Sequence, residues 1–501
     1  MRLVFNPADV KSYRQFLAVK RLPIYSIQGR EAWFPDEYAS LVGLGQATLP
    51  NVSFDPSPFL FDYQRDIARI AVRKRKFAVF ADCGLGKTLI FMEFARVAQS
   101  DLGNRQGTLI VSPLMVVPQT IAEAQRFYGD TLPIEQVAAK DLPKWLASCG
   151  GKIGITNYDA LTDAVQSRGQ LGALILDESS MLKSHYGKWG QKCLELGAGL
   201  EWKLSGTGTP APNDRIEYAN QAVFLDAFPT VNSFLAKFFV NRGQTAERWE
   251  IKPHAIKSFY RALSHWCIFL NSPATYGWKD NADPLPPIHI HDHHVDLTAE
   301  QVAAIGTETG KLFATDLGGI TSRSTMGSLA KGKFRGKAIA TNKPRAIREL
   351  VDSWPDESTI IWCKYNHEQE SLEKEFPEAA SISGSTKLAK RIELIDEFKA
   401  GKRRQLISKP KVLGFGLNLQ VATRHVLSGL EDSYEAFYQC IKRSNRYGST
   451  KPLNVHIPVT DVERPMIETV LRKADRVQAD TEEQEALFRS ESLTLFQEFL
   501  S

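Results

Sequence analysis

The chain has 501 residues, 43% hydrophobic and 24% charged, a globular composition with room for about three domains at ~150 residues each. Its net charge of +5 permits a polyanionic partner without demanding one. Six cysteines with no C-x-x-C pair argue against a zinc ribbon or disulfide framework, and the absence of an h-region or a bilayer-length apolar run argues against secretion or membrane spanning, so a soluble protein of a reducing compartment is expected.

Residues 1–55 are a mixed segment with aromatics and the turn signals Pro35-Asp36 and Pro50-Asn51, read as a small accessory unit. In the following stretch Tyr63, Ile67, Ile70 and Ala71 make a helical stripe. Gln64 on that helix carries a donor and an acceptor together, the pair that reads an adenine edge, with Phe61 or Tyr63 to pack the base; a solvated helix face is the plainer account. Next, FAVFADCGLGKTL (77–89) reads strand, tight loop, helix start. Its Gly84-Leu85-Gly86-Lys87-Thr88 lets successive N–H groups and a helix N-terminus converge on a phosphate, with Lys87 as a point charge and the Thr88 hydroxyl placed for Mg²⁺. Ala81 stands where the strict pattern has Gly.

Strand, loop and helix then repeat at 108–127 and 152–165, with Ser112 and with Thr156 and Asn157 at strand C-terminal ends, where open α/β sheets place ligand contacts. The apolar run Ala173 to Leu176 ends in Asp177-Glu178, a pair suited to a division of labour: Asp177 holding Mg²⁺ through water, Glu178 orienting and deprotonating the attacking water. Acid pairs after strands also serve as helix caps. Thr207-Gly208-Thr209-Pro210 makes a turn whose hydroxyls can sense a γ-phosphate.

From 214 to 342 helical stretches lie among prolines, no strand series is visible before 288, and a mainly helical insertion is expected. His289, His291 and His293 would line one strand face, as metal ligands or, more simply, as alternating polar residues facing solvent. Residues 322–337 are basic and Gly/Ser-rich and read as a flexible loop that touches phosphates. A second α/β unit starts near Pro344. Lys409 precedes the Gly-rich Gly414-Phe415-Gly416-Leu417-Asn418, and in Gln439-x-x-x-Arg443-x-x-Arg446 the arginines share one face of a predicted helix over 435–448. Facing a phosphate site, they would stabilise charge as a γ-phosphoryl leaves; taken singly they are surface arginines.

The ordered set YQ (63–64), ADCGLGKT (81–88), VSPL (111–114), ITNYDAL (155–161), LDESSMLK (176–183), TGTPAPN (207–213), ISGST (382–386), GFGLN (414–418) and QCIKRSNRYG (439–448) resembles the motifs of helicase superfamily 2, most closely the compact Swi/Snf-like helicases of phages and mobile elements, over residues 59–475. The resemblance implies an α/β fold of two RecA-like parallel-sheet domains in tandem with a mainly helical insertion, divided as 1–55 accessory, 56–214 first domain, 215–342 insertion and linker, 343–475 second domain and 476–501 helical tail. It implies ATP and Mg²⁺ between the two domains, a sequence-nonspecific DNA partner, no membrane, a monomer, and a cytoplasmic setting in a bacterial or phage-infected cell. By motif position, Gln64, Gly84, Leu85, Gly86, Lys87, Thr88, Gly416 and Gln439 bind nucleotide. Thr88 and Asp177 serve the metal, Lys87, Asp177, Glu178, Arg443 and Arg446 act in catalysis, and Ser112, Thr156, Asn157, Lys364, Gly384 and Lys409 track a nucleic-acid backbone. Three departures stand out: DESS replaces the usual DEAH, putting Ser180 at the His position; the paired arginines of many relatives are missing around 267–270; and no histone reader or nuclease motif is present. An ATP-dependent DNA translocase is the leading expectation, with a strand-separating DNA or RNA helicase and a nucleotide-gated scaffold without turnover as alternatives.

Overall fold

The computed structural model describes residues 1–45, 54–182, 187–211, 214–243, 249–296, 343–413, 417–428, 434–460 and 482–490, together with 464, 468, 471 and 472. These fall into two units, 1–282 with 480–501, and 283–479. Gly416 and the basic stretch 322–337 lie outside the described residues.

The first 45 residues form a module of their own. Strands β1 (Arg2–Val4), β2 (Ser26–Gln28) and β3 (Glu31–Trp33) make an antiparallel sheet in the order β1-β3-β2. The helix Val10–Val19, begun by the Asp9 side chain accepting from the Lys11 N–H, packs on one side of it. Phe16, Val19, Leu22, Ala32, Phe34, Tyr38 and Val42 are the shared core. The module is pinned to its neighbours by buried polar contacts: Glu37 pairs with Lys74 at 2.8 Å and with His265 at 2.9 Å, and these partners hold its carboxyl far below the usual range despite its burial.

The first large sheet takes β4 (Lys76–Ala81), β5 (Gly107–Ser112), β6 (Ile134–Gln136), β7 (Ile153–Asn157), β8 (Leu171–Asp177) and β9 (Trp202–Gly206). A separate hairpin, β10 (Phe239–Asn241) with β11 (Trp249–Ile251), intervenes before β12 (Cys267–Leu270) completes the sheet as β12-β4-β9-β8-β5-β7-β6, every pairing parallel. Both faces are covered, which is why β4, β5 and β8 read as continuous apolar runs instead of alternating ones. Parallel strands connect by crossovers, so all their C-termini lie on one edge.

Strand β12 lies within the stretch expected to be a helical insertion. The helix Ile256–Trp266 runs straight into it without a turn residue, and four buried apolar residues cannot be told from one more helical turn by periodicity. The C-terminal helical segment 482–490 also packs on this unit: Phe488 meets Phe269 at 4.9 Å between ring centres, and Asn271 donates to Glu485 at 2.8 Å.

The second unit has a six-stranded all-parallel sheet of β13 (Ile288–His294), β14 (Thr359–Trp362), β15 (Ala380–Ile382), β16 (Gln405–Ser408), β17 (Arg424–Leu427) and β18 (Leu453–Val459), in the order β13-β18-β17-β14-β16-β15. Ile347, Val351, Ile361, Leu372, Phe376, Ile407 and Val426 form a core beneath it. No described helix is long and apolar enough to cross a membrane.

Candidate functional site

In the first unit the C-terminal ends of β4, β9, β8, β5 and β7 are consecutive in the sheet, so the residues that follow them are neighbours along one edge. After β4 the chain turns through Gly84 at φ 88° and Gly86 at φ 67° before the helix Lys87–Leu102 begins. Gly86 is required twice over: its φ is left-handed, and a Cβ there would come within 2.2 Å of the Gln64 amide nitrogen. That amide is buried, donating to the Leu85 carbonyl at 3.2 Å while its oxygen accepts from the Phe61 N–H at 3.0 Å. Tyr63 reaches the same Leu85 carbonyl at 3.1 Å. Gln64 therefore ties its own helix to the loop. The Lys87 ammonium donates to the carbonyls of Ala81 at 2.6 Å and Asp82 at 3.2 Å, and half-buried Thr88 follows in the first helical turn.

The two acids end β8. Ser112, from the end of β5, donates to Asp177 Oδ2 at 2.8 Å, and the Tyr158 hydroxyl donates to the Asp177 carbonyl at 2.7 Å. Burial and the adjacent Glu178 push the Asp177 carboxyl up to about 6, against the opposing pull of Ser112 and Lys87. Glu178 sits at φ 56°, a left-handed conformation costly for a residue with a side chain. Its Oε1 accepts two hydroxyls, Thr207 at 2.6 Å and Ser180 at 3.0 Å. Behind them Gln221 links the acidic motif to the Thr207 turn, accepting from Ser179 at 2.8 Å and donating to the Pro210 carbonyl at 3.0 Å. Thr156 is buried, its hydroxyl donated to the Val137 carbonyl at 2.8 Å, whereas Asn157 at the end of β7 is half-buried.

In the second unit Lys364, Gly384 and Lys409 follow β14, β15 and β16, three strands adjacent in the sheet, so they share its C-terminal edge. The Lys409 ammonium contacts the Asn366 side chain, Lys364 lies over the Tyr365 ring at 5.3 Å, and the Gly384 carbonyl accepts from Arg391 at 2.6 Å. Gln439 lies in the helix Tyr434–Ile441. The predicted helix over 435–448 stops at Ile441, which places Arg443 and Arg446 in the turns that follow and not on a common helix face. Ser444 and Asn445 explain the stop. Their side chains leave the helix path for tertiary partners, Ser444 donating to the Leu419 carbonyl at 2.9 Å and Asn445 to the Pro286 carbonyl at 2.8 Å. Arg443 is buried, its Nε donating to the Gln439 carbonyl at 2.9 Å, and Arg446 donates to the Leu417 carbonyl at 3.1 Å. Both arginines thus belong to the segment that packs against the end of the Gly-rich loop.

Two profiles of known families match this chain: the SNF2-related domain over residues 70–266 and the helicase conserved C-terminal domain over 342–448. The chain belongs to the Swi/Snf-like group of helicase superfamily 2. These two domains mark a nucleic-acid-dependent ATPase, and each match falls on one of the two parallel sheets. Among solved structures the chain is similar to the Sulfolobus solfataricus SWI2/SNF2 ATPase core in complex with dsDNA, at 19% identity over 81% of this chain and 90% of that one, TM-score 0.40. It is similar to the same organism's SWI2/SNF2 ATPase core domain at 19% identity over 81% and 87%, TM-score 0.38. No curated protein matches the sequence.

For a Swi/Snf-like ATPase the donor set suits its cofactors. Two glycines at positive φ open a loop onto a helix N-terminus, which favours phosphate, and a carboxyl pushed up by burial beside a second carboxyl favours a cation. Sequence reasoning missed Tyr158, Asn220 and Gln221 as parts of this site. The signal for the last two was present: an Asn-Gln pair inside an otherwise apolar helix, both buried, calls for internal partners. The histidine tract is different. His291 stacks on His456 at 4.8 Å and His293 hydrogen-bonds it at 2.9 Å, yet among the described residues no group of three metal-ligating side chains could hold an ion.

Proposed function

We propose that this ATPase is a DNA translocase: nucleic-acid-stimulated ATP hydrolysis drives it along duplex DNA, with strand separation secondary. Gln64, Gly84, Leu85, Gly86, Lys87 and Thr88, with Gly416 and Gln439, hold the nucleotide. Thr88 and Asp177 hold Mg²⁺, which when bound offsets the phosphate charge. Glu178 orients the attacking water and accepts its proton, and Arg443 and Arg446 stabilise the charge on the departing γ-phosphoryl. Ser112, Thr156, Asn157, Lys364, Gly384 and Lys409 are the candidates for backbone contacts, with Thr156 the weakest because its hydroxyl is already committed to Val137. Contacts to phosphate carry no base information, so binding is salt-sensitive and sequence-nonspecific. The protein acts as a monomer built of the two units, 1–282 with 480–501 and 283–479.

The observation that supports the reading best is the gathering of Lys87, Asp177, Glu178 and Thr207 on one sheet edge, with Glu178 held by two hydroxyls. The test is ATPase activity on covalently closed duplex, forked DNA, single-stranded DNA and RNA at two salt concentrations. Closed duplex should stimulate fully, and more at low salt. A strict requirement for a single-stranded tail would make the protein a strand-separating helicase, and no hydrolysis on any polymer would make it a nucleotide-gated scaffold.

A further inference from the structure

Away from the nucleotide loop, an open groove of about 760 Å³ runs between the N-terminal sheet and the segment Ala227 to Lys237; among the residues lining it are Arg2, Tyr25, Trp33, Phe228, Ser233 and Lys237. Pairing aligns Arg2, Trp33 and Ser26 in one row across β1, β3 and β2, all on the face turned away from the module's core. Trp33 is 37% exposed, a large aromatic on an open sheet face, and among the described residues no other ring packs against it.

Cations flank it. Arg2 is braced by Glu31, which orients the guanidinium. Lys237 lies over three rings, Tyr25 at 5.8 Å, Phe228 at 5.6 Å and Phe238 at 5.3 Å, and no carboxylate is paired with it among the described residues. Among the described residues no carboxylate lines the groove. It therefore offers a flat aromatic surface and an unneutralised positive charge side by side. A polymer of linked aromatic planes and phosphates matches both, since bases stack on rings whatever their identity while cations take the backbone.

We infer that this groove is an accessory binding site for single-stranded nucleic acid, stacking an unpaired base on Trp33 and seating an adjacent phosphate at Lys237. The inference rests on the nucleic-acid reading above for the choice of polymer. It gives the N-terminal module a task the nucleotide-binding edge does not share: holding an unpaired strand beside the motor.

The test uses the full-length chain, fluorescein-labelled dT₁₂, and an abasic 12-mer with the same phosphates. Trp33→Ala should weaken dT₁₂ about tenfold and leave the abasic strand unchanged, as loss of one stacked base does. Lys237→Gln, a surface change that spares the sheet, should weaken both and lower the salt dependence by about one phosphate. A 5-iodouracil strand should cross-link within residues 24–34. ATPase stimulation by closed duplex should remain at the parent level in both variants, which separates this site from the motor: loss of that stimulation in the parent would sink the translocase reading alone. Unchanged dT₁₂ binding in both variants would overturn the inference, as would cross-links confined to other segments. Displacement of dT₁₂ by an equal concentration of a Glu/Phe-rich peptide would overturn it too, by assigning the groove to a protein partner.

Discussion

The two parallel sheets offer the same kind of edge with opposite chemistry. On the first, carboxylates and hydroxyls are tied to one another: Ser112 to Asp177, Thr207 and Ser180 to Glu178, with Asp177 driven up to about 6 by burial and its acidic neighbour. On the second, the residues after three of the strands are cationic or small, Lys364, Gly384 and Lys409, and Arg443 and Arg446 each donate to a backbone carbonyl. An edge of acids has to be held in place because its like charges repel. Arginines need only be aimed, since a phosphate would supply the opposite charge. On the proposed reading, this difference assigns the proton and metal chemistry to the first edge and the response to phosphate charge to the second.

The sharpest break in that comparison would come from Glu178→Gln, which keeps the shape and removes the base. Turnover should fall by 10³-fold or more, on the order expected for loss of a general base in a preorganised site, with ATP still bound. Hydrolysis at the parent rate in a phosphate-release assay would remove Glu178 from the role. On the cationic side, Arg446→Ala should lower kcat by about 10³-fold while nucleotide affinity, measured by fluorescence titration, changes much less. Arg446 is the better probe of the two, because Arg443 is buried and its loss would also unsettle the second unit.

Acid should act in opposite directions on His425 and Asp177. Burial pushes His425 down to about 3 from an ordinary 6.5, so the second unit has stability above pH 6.5 that it loses as pH falls toward 3. At pH 5 that loss is about 2 kcal/mol. Asp177 runs the other way: its carboxyl is raised from 3.8, so its contribution is full below 3.8 and lost as pH rises through about 6. Moving from pH 7 to 5 without Mg²⁺ therefore relieves the strain at Asp177 by about 1 kcal/mol. Hydrogen exchange followed separately on β17 and β8 would test this, and equal changes in the two would contradict it. The smallest expected effect is on folding at the loop itself. Gly86→Ala imposes a left-handed alanine and drives its methyl into Gln64, costing about 1–2 kcal/mol by denaturant unfolding; an unchanged midpoint would show that the helix of Gln64 can move aside.

Much of this was readable from the residues. The phosphate loop, the acid pair and the alternation of strand and helix follow from local composition and spacing, because glycines, apolar runs and turn residues act over a few positions. Where reading failed, the cause was non-local. Strand β12 carries the same apolar letters as the helix before it, and only pairing with β4 makes it a strand. The helix after Gln439 ends early because Ser444 and Asn445 find carbonyls that lie 25 and 159 positions away in the chain. Nor could spacing show that Ser112 donates to Asp177, since β5 and β8 are neighbours in the sheet though these residues are 65 positions apart.

Thus the chain's letters alone settled its class of chemistry, two α/β units with a phosphate-binding loop and its acids, because those motifs are short and self-contained. Which hydroxyl holds which acid, where the arginine segment leaves its helix, and that the sheet of the first 45 residues exposes Trp33 on the groove that Lys237 also lines were decided by folding. Hydrogen bonds and ring contacts depend on proximity in space, and strand order, which brings distant residues together, is set by the packing of whole layers.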